Sequence, residues 1–318
     1  MPKILITNRV PLEHLKPLVG IAEIIQGPGP IELMPRQEVL TLVPELDAII
    51  NQTELRVDQE LLDASSRLKI VANVAIGTDN LDLDAMAARG VWATNTPDAP
   101  VESTADFTLG MLLALVRRIL PADRYVRSSA WPEDGFQPGR WDGTLLSGKT
   151  LGIIGYGRIG QAVDRRARAF GMKILFHDLL TTTGAEYRTL DALLGDSDVV
   201  SLHVPLTDDT YHLLNSQRIE LMKPGVLLLN MSRGKVVDET ALVESLRSGQ
   251  IAGAALDVFE MEPVVHPELQ GMDQVLLTPH IAGGTQESKF QARTLCAQNI
   301  ALVLQGELPV TPVNTPLL

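Results

Sequence analysis

The feature that most constrains the fold is a glycine-rich segment in the middle of the chain. Residues 151–160 read Leu-Gly-Ile-Ile-Gly-Tyr-Gly-Arg-Ile-Gly, so an apolar, strand-like run leads directly into G-x-G-x-x-G at Gly155, Gly157 and Gly160. In this pattern the first glycine permits a tight turn, the second lets backbone approach a pyrophosphate, and the third lets the next helix pack closely on the strand. Apolar residues then recur at helical spacing as far as Gly171. The segment predicts a strand–turn–helix unit that binds a dinucleotide.

A second predicted strand supports the same interpretation. It spans Lys173–His177 and ends at Asp178, which follows Gly155 by 23 residues. A ribose-binding carboxylate is expected about 20 residues after the first glycine. Such a carboxylate would repel a 2′-phosphate, and residues 179–183 contain no Arg or Lys to receive one. We therefore expect NAD(H) to be preferred over NADP(H). The alternative is an ordinary strand–turn–helix connection without a ligand.

Composition limits the architecture and the class of partner. With 318 residues, of which 45% are hydrophobic, the chain is long enough for two domains, and about one domain's length precedes the glycine motif. A net charge of −12 argues against nucleic acid or an anionic membrane surface as the main partner. The single cysteine, Cys296, excludes an intrachain disulfide, and the strand-like start at residues 1–7 differs from a signal peptide. We expect a cytoplasmic protein without a membrane span and without a metal site.

The order of predicted elements indicates an α/β protein. We expect two Rossmann-like, doubly wound parallel-sheet domains with a cleft between them. Residues 1–99 and 288–318 are predicted to form a flavodoxin-like substrate-binding domain, and residues 100–287 the nucleotide-binding domain. A long helix is expected over Val101–Leu120, ended by Pro121, followed by an irregular segment at 128–147. A final helix is expected at Ser288–Leu304. The predicted strands are Ile4–Thr7, Ala48–Ile50, Leu68–Val71, Val91–Thr94, Val199–Val204, Val226–Asn230, Ala254–Val258 and Val275–Thr278.

Polar residues follow three successive predicted strands downstream of the glycine motif. Arg233, Glu262 and His280 come after the strands that begin near residues 226, 254 and 275. Ligands in parallel α/β sheets bind at the carboxyl ends of strands. Each residue alone has an ordinary explanation, as a solvated loop residue, a surface acid or a structural histidine. Their joint placement favours a catalytic site.

These motifs together resemble the D-isomer-specific 2-hydroxyacid dehydrogenase family. The similarity extends over essentially the whole chain, and within the family the chain is most similar to glyoxylate/hydroxypyruvate reductases. Besides the glycine motif, the segments that carry the resemblance are Asn73–Asn80, Thr94–Asp98, Glu102–Asp106, Met231–Asp238, Leu256–Glu260 and Thr278–Ile281.

The resemblance implies that Arg233, Glu262 and His280 form the catalytic set. When a nicotinamide hydride reaches the carbonyl carbon of a 2-oxo acid, negative charge builds on the oxygen, and His280 as imidazolium would protonate it. Glu262 would favour that protonated form and fix the tautomer. Arg233 would present a planar fork of donors to the substrate carboxylate. Glu260 is the rival of Glu262, which matches the second acid of the family's E-x-E-P pattern.

The resemblance also implies the binding residues. Backbone N–H groups of Ile76 and Gly77 would hold the substrate carboxylate, and domain closure would exclude water. The loop at residues 51–54 would face the C3 side of the substrate, where the amide of Gln52 would favour hydroxypyruvate over pyruvate. Asp257 would accept from the nicotinamide carboxamide. The cofactor-binding residues are expected to be Thr104, Gly155, Gly157, Arg158, Ile159, Gly160, Asp178, Val204, Pro205 and Asp257.

Two further expectations concern partners and rival functions. The aromatic residues Trp131, Phe136 and Trp141 would anchor a homodimer, as the resemblance implies, or else would cap the protomer's own core. Other substrates of the same reaction are 3-phosphoglycerate, 2-ketogluconate and D-lactate. A rival of another class is a nucleotide-sensing Rossmann protein that lacks catalysis.

Overall fold

A computed structural model describes residues 1–317, and the chain folds into two compact units. The first unit contains residues 1–100 and the segment from Gly284 onward, and the second contains Val101–Gly283. The point at which the chain returns from the second unit to the first therefore lies a few residues before the predicted one, between residues 287 and 288. The last helix is capped next to this position, since the Thr285 hydroxyl accepts from the Ser288 N–H and the Ser288 hydroxyl accepts from the Thr285 N–H (both 3.1 Å). These cap residues belong to the unit in which that helix packs.

The first unit is built on a five-stranded parallel sheet. Its order is β2-β1-β3-β4-β5, so the chain reverses direction across the sheet between β1 and β3. Ligands in open α/β sheets bind outside the carboxyl ends of the strands at such a switch point. The strands are β1 (Lys3–Ile6), β2 (Glu23–Gln26), β3 (Ala48–Asn51), β4 (Ile70–Asn73) and β5 (Trp92–Thr94). Strand β2 was not predicted, since it lies at the sheet edge and is only partly buried.

The second unit is built on a six-stranded parallel sheet of order β7-β6-β8-β9-β10-β11. Its switch point lies between β6 and β8, and the glycine motif follows β6 directly. Two parallel sheets in one α/β chain confirm the predicted fold class. The strands are β6 (Thr150–Ile154), β7 (Lys173–His177), β8 (Val199–Leu202), β9 (Val226–Asn230), β10 (Ile251–Leu256) and β11 (Val275–Leu277).

Helices cover the faces of both sheets. In the described residues they are, in chain order, α1 (Arg36–Leu42), α2 (Gln59–Ala64), α3 (Leu83–Ala88), α4 (Val101–Val116), α5 (Ile119–Arg127), α6 (Ala130–Asp134), α7 (Arg158–Ala169), α8 (Leu190–Asp196), α9 (Ser216–Glu220), α10 (Glu239–Ser248) and α11 (Gln286–Leu304). Asp58 and Asp82 cap α2 and α3, where their carboxylates accept from N–H groups of the first turn. No helix within residues 1–317 is both long and apolar enough to cross a membrane.

The sheet of the first unit is buried on both faces, as a parallel sheet requires. Successive residues of β1 alternate, so Ile4 and Ile6 pack with α11 while Leu5 faces the layer that includes residues of α1, α2 and α3. Cys296 lies in the α11 layer and is fully buried. Burial raises the pKa of its thiol, so Cys296 is a core residue and not a reactive thiolate.

One predicted helix boundary was wrong. The helix that begins at Val101 ends at Val116, and a new helix begins at Ile119 after Arg118 adopts a left-handed conformation (φ 53°). Pro121 therefore lies in the first turn of α5 and does not end the helix that begins at Val101. A proline is tolerated there because the first N–H groups of a helix have no partner within the helix. The segment predicted to be irregular also contains the short helix α6.

Candidate active site and nucleotide site

The three motif glycines stand in three different environments. Gly155 has a φ of 90°, and a Cβ there would lie 2.5 Å from the carbonyl oxygen of His203. A Cβ on Gly160 would lie 2.2 Å from the carbonyl oxygen of Gly155, because α7 packs directly on the turn. Gly157 is different, since a Cβ there would have no atom within 4 Å. Two glycines are required by the turn and its packing, and the third leaves open space above backbone, as an approaching pyrophosphate needs.

Helix α7 begins at this open space. Its N-cap is Gly157, which has no side chain to cap the first turn, so the residues predicted to meet the phosphates, Arg158 and Ile159, present N–H groups at the positive end of the helix dipole. Val204 and Pro205 follow β8 across the switch point, and Cγ1 of Val204 lies beside Gly155. Thr104 is buried in the first turn of α4, a helix that packs against α7. The arrangement fits a dinucleotide.

Asp178 lies at the end of β7, beside the glycine turn. Its carboxylate accepts from the N–H groups of Tyr156 (2.7 Å), Leu180 (2.8 Å) and Thr181 (3.0 Å). Burial acts to raise the pKa of this carboxyl, but the three donors outweigh it and hold the pKa below its ordinary value. An ionised carboxylate has about four acceptor positions. Asp178 is therefore charged, held in place, and able to accept one further hydrogen bond, such as one from a ribose hydroxyl.

Sequence reasoning missed the residue that fixes this turn. The Tyr156 ring stacks on Phe176 with centroids 3.9 Å apart and planes at 14°, and its hydroxyl donates to the carboxylate of Asp164 on α7. Burial raises the pKa of Tyr156 to about 12, so the phenol remains a donor. Tyr156 therefore ties the turn to both β7 and α7. Aromatic residues inside the motif and on the adjacent strand were the available signal.

Glu262 and His280 form a hydrogen-bonded pair in the second unit. Nδ1 of His280 lies 2.9 Å from Oε2 of Glu262, and Oε1 of Glu262 accepts from the N–H of Phe259 (2.9 Å). The His280 side chain is 50% exposed, and its backbone is left-handed (φ 53°). A non-glycine residue in that region is typically held there by its surroundings. The pairing uses Nδ1, which leaves Nε2 as the nitrogen that can face a substrate.

Arg233 lies close to this pair. It follows β9, its Nη1 donates to the carbonyl of Ser232 (2.8 Å), and the next residue, Gly234, packs so tightly that a Cβ would lie 1.8 Å from the carbonyl carbon of Phe259. Burial acts to raise the pKa of Glu262, but the hydrogen bond from His280, with smaller contributions that include the charge of Arg233, lowers it below the ordinary value. The structure therefore brings together the three residues predicted to be catalytic.

The rival acid points elsewhere. Oε1 of Glu260 lies 2.8 Å from Nε2 of His212, and its Oε2 accepts from the N–H of Glu239. Glu239 in turn accepts from the N–H of Glu260. This reciprocal pair anchors the loop that carries Glu262, so Glu260 has a structural role.

The carboxylate of Asp257 accepts hydrogen bonds that the sequence did not predict. The carboxylate is buried and accepts from the Thr278 hydroxyl (2.7 Å) and from the N–H groups of Ile281 (2.9 Å) and Ala282 (2.7 Å). Its own carbonyl accepts from the His280 N–H (2.8 Å). The residue expected to accept from a nicotinamide carboxamide therefore holds the turn that carries His280, and three of the roughly four acceptor positions of its carboxylate are used within the protein.

Three of the predicted substrate-binding residues, Gln52, Ile76 and Gly77, follow strands of the first unit at the carboxyl edge of its sheet. Carbonyls of Ile76 and Gly77 accept from the amides of Asn95 (2.8 Å) and Asn73 (3.3 Å), whereas their N–H groups donate to no acceptor in residues 1–317. Such a loop is suited to hold a carboxylate. Gln52 donates its N–H to the Thr7 hydroxyl (3.2 Å). The structure thus shows available donors at Ile76 and Gly77. Across the described part of the chain, no cluster of three His, Cys, Asp or Glu side chains could hold a metal.

Comparison with known proteins assigns the family. The model of the D-isomer specific 2-hydroxyacid dehydrogenase NAD-binding domain matches residues 109–282. The chain is 44% identical to a glyoxylate reductase of Thermococcus onnurineus, over 100% of this chain and 97% of that protein. The chain belongs to the D-isomer-specific 2-hydroxyacid dehydrogenase family, and it is an NAD(P)-dependent oxidoreductase.

Two solved structures are similar over nearly the whole chain. One is a protein of Thermus thermophilus, with a TM-score of 0.91 at 38% identity, which covers 98% of this chain and 99% of that one. The other is an NADPH-dependent glyoxylate/hydroxypyruvate reductase of Sinorhizobium meliloti in complex with NADP and malonate, with a TM-score of 0.85 at 33% identity, which covers 98% and 96%. The second relative shows that NADPH dependence occurs among proteins of this similarity.

Proposed function

We propose that this protein reduces a small 2-oxo acid, glyoxylate or hydroxypyruvate, to the 2-hydroxy acid, with NADH as the preferred cofactor. The observation that carries the proposal is the hydrogen-bonded pair of His280 and Glu262, with Arg233 close by, in the unit that also contains the dinucleotide turn. The similarity to glyoxylate reductases supports the substrate class.

The residues divide the chemistry between them. A reduced nicotinamide, when bound, supplies a hydride to C2 of the substrate. His280 donates the proton from Nε2 to the carbonyl oxygen as its charge develops, and takes that proton back in the reverse direction. Glu262 stabilises the imidazolium through Nδ1 and fixes the ring. Arg233 and the N–H groups of Ile76 and Gly77 bind the substrate carboxylate.

The preference for NADH rests on this chain's own residues. Asp178 is charged and lies where the adenosine ribose is expected, so it would repel a 2′-phosphate. Residues 179–187 contain no Arg or Lys. Arg168, at the end of α7, is bound to Asp164 (2.5 Å) and Glu186 (3.5 Å). A 2′-phosphate would therefore meet the Asp178 carboxylate, with no Arg or Lys in the segment that follows it.

The preference among 2-oxo acids is assigned to Gln52. Its Nε2 is buried and has no hydrogen-bond partner within residues 1–317. A substrate hydroxyl at C3 would satisfy that donor, whereas a methyl group would leave it unpaired, which costs binding energy. Asn51 does not contribute, because its amide is buried and bonded to Leu55 and Thr53 within its own loop. Hydroxypyruvate is therefore the better substrate than pyruvate.

A homodimer and a cytoplasmic location complete the proposal. Phe136 is 91% exposed and Trp131 is 43% exposed, whereas Trp141 is half-buried with its ring centroid 5.3 Å from that of Tyr125. Exposed large apolar side chains of this kind are typical of interface anchors. The cytoplasmic location rests on the single buried cysteine, Cys296.

The test of function is NADH oxidation in the presence of glyoxylate or hydroxypyruvate. The wild type should turn over, and His280→Ala should lower kcat by about 10²–10⁴-fold, as expected for loss of a positioned acid. The matched control is His266→Ala, since His266 is not part of the His280–Glu262 pair and its ring accepts from the backbone N–H of Glu268 (3.4 Å). Binding of NADH without turnover of any 2-oxo acid would instead indicate a nucleotide sensor.

A further inference from the structure

Side chains that the proposed mechanism does not use lie next to Gln52. Cys296 donates its Sγ–H to the carbonyl of Asn73 at the end of β4 (3.3 Å), which fixes α11 over the carboxyl ends of the central strands. Arg293 precedes Cys296 by about one turn, and its Nη2 donates to Oε1 of Gln52 at 3.4 Å. The guanidinium therefore lies beside the loop that is proposed to face the far end of the substrate. Lys289 lies one turn earlier on the same face of α11.

We call Gln52, Lys289 and Arg293 the Arg293 cluster. The groups of this cluster that lack a hydrogen-bond partner are donors. Nε of Arg293 and Nε2 of Gln52 are buried and lack a partner in the described chain, and the ammonium of Lys289 makes no side-chain hydrogen bond there. Buried polar groups in folded proteins are normally satisfied, so donors left over in one place indicate that an acceptor binds there.

The cluster is also cationic without counter-ions. Lys289 and Arg293 are both partly buried, and neither has a carboxylate within 4.0 Å in residues 1–317, although the whole chain carries a net charge of −12. Burial, with the charge of Arg293, lowers the pKa of Lys289, and burial lowers the pKa of Arg293. Two neighbouring cations in partial burial repel each other, and an anion between them would relieve both the repulsion and the desolvation.

We propose that the Arg293 cluster binds a second anionic group, a carboxylate or a phosphate, at the end of the substrate remote from its 2-oxo acid group. The inference rests on the proposed function and adds to its substrates 2-oxo acids that carry an anionic substituent beyond C2. The carboxylate next to the oxo group would bind Arg233 and the N–H groups of Ile76 and Gly77. The guanidinium of Arg293 is then left for the far end of the substrate. A guanidinium fork accepts either anion. Glyoxylate has no far end and is reduced without using the cluster.

The test compares matched pairs of 2-oxo acids in steady-state reduction. Oxaloacetate is compared with 2-oxobutyrate for a carboxylate, and 3-phosphohydroxypyruvate with hydroxypyruvate for a phosphate. The pair with the larger ratio identifies which anion the cluster takes. The wild type should show kcat/KM about 10- to 100-fold higher for the anionic member of at least one pair, the range of a charge-assisted hydrogen bond.

Variants assign that ratio to the cluster. Arg293→Met should abolish the advantage of the anionic substrate while the kcat/KM for glyoxylate stays within about twofold. Lys16→Met removes one exposed positive charge from the same unit outside the cluster and should leave the ratio unchanged. If Arg293→Met fails to fold, Lys289→Met provides the comparison, and it should lower the advantage of the anionic substrate while the kcat/KM for glyoxylate stays within about twofold. Equal kcat/KM within both wild-type pairs, or an equal loss for neutral and anionic substrates in Arg293→Met, would overturn the proposal.

A binding measurement separates this inference from the proposed function. If no 2-oxo acid, glyoxylate included, is reduced, the proposed function fails, and calorimetry still tests the cluster. The probes are D-malate and D-2-hydroxybutyrate, which differ in the distal carboxylate. Binding of D-malate about tenfold more tightly, with the difference lost in Arg293→Met, supports the cluster as an anion site. Equal affinities refute it.

Discussion

The glycine motif allows the cofactor site to be tested separately from the fold. At Gly157 an added Cβ would meet no atom within 4 Å, and the backbone there (φ −73°, ψ −159°) is open to any residue. We expect Gly157→Ala to change the free energy of unfolding by no more than about 1 kcal/mol, since the loss of a favourable N-cap residue and the lower entropy of the unfolded chain act in opposite directions.

The effect of Gly157→Ala on cofactor binding should be large. The methyl group would occupy the space where the pyrophosphate approaches the start of α7 and would lengthen hydrogen bonds from backbone N–H groups to a charged ligand. Loss of one such bond is equivalent to about a 10- to 100-fold rise in the dissociation constant. Fluorescence titration with NADH measures this rise, and calorimetry measures the melting temperature on the same sample.

Gly160→Ala is the matched control, because there the Cβ would lie 2.2 Å from the carbonyl oxygen of Gly155 and 3.1 Å from Cγ2 of Ile153. The backbone of Gly155 cannot move away as a flexible side chain could. The overpacking should therefore destabilise the second unit by about 1–3 kcal/mol, which lowers the melting temperature by roughly 2–4 °C per kcal/mol. If Gly157→Ala bound NADH as tightly as the wild type, or melted as early as Gly160→Ala, the assignment of the phosphate site would be wrong.

Four further predictions address the proposed roles. kcat/KM should be higher with NADH than with NADPH, and Asp178→Asn should narrow that ratio by removing the repelling charge; a wild type that favours NADPH would contradict this. Because the pKa of Glu262 lies below its ordinary value, the carboxylate stays charged at neutral pH, so Glu262→Gln should retain partial activity and shift the alkaline limit of reduction to lower pH; an unchanged pH–rate profile would argue against the pair. The ratio of kcat/KM for hydroxypyruvate to that for pyruvate should exceed one and fall in Gln52→Leu, and a ratio unaffected by the change would remove Gln52 from substrate selection. Light scattering at micromolar concentration should give the mass of a dimer, and Phe136→Asp should shift it toward the monomer, whereas a monomeric wild type would refute the interface.

Elements with a strong local pattern could be predicted from the sequence. Strand β9 (Val226–Asn230) lies where its apolar run predicted it, and α11 extends the predicted helix by two residues at its capped N-terminus. Strand β2 was missed because an edge strand is only partly buried and lacks a continuous apolar run. The break between α4 and α5 was missed because Arg118 adopts the left-handed conformation without a glycine to signal it. Local patterns fail where packing imposes a conformation that the residues themselves do not favour.

The sequence by itself determined the fold class, the dinucleotide turn and the choice of Arg233, Glu262 and His280 as candidates. These follow from contiguous patterns, in which each glycine or strand end is interpreted from its immediate neighbours. Tertiary structure alone showed that Glu260 has a partner of its own, His212, while Glu262 pairs with His280. It also placed Arg293 beside Gln52, although 241 residues separate them in the chain. Such contacts depend on strand register and on where a distant helix packs, and no local pattern of residues encodes either.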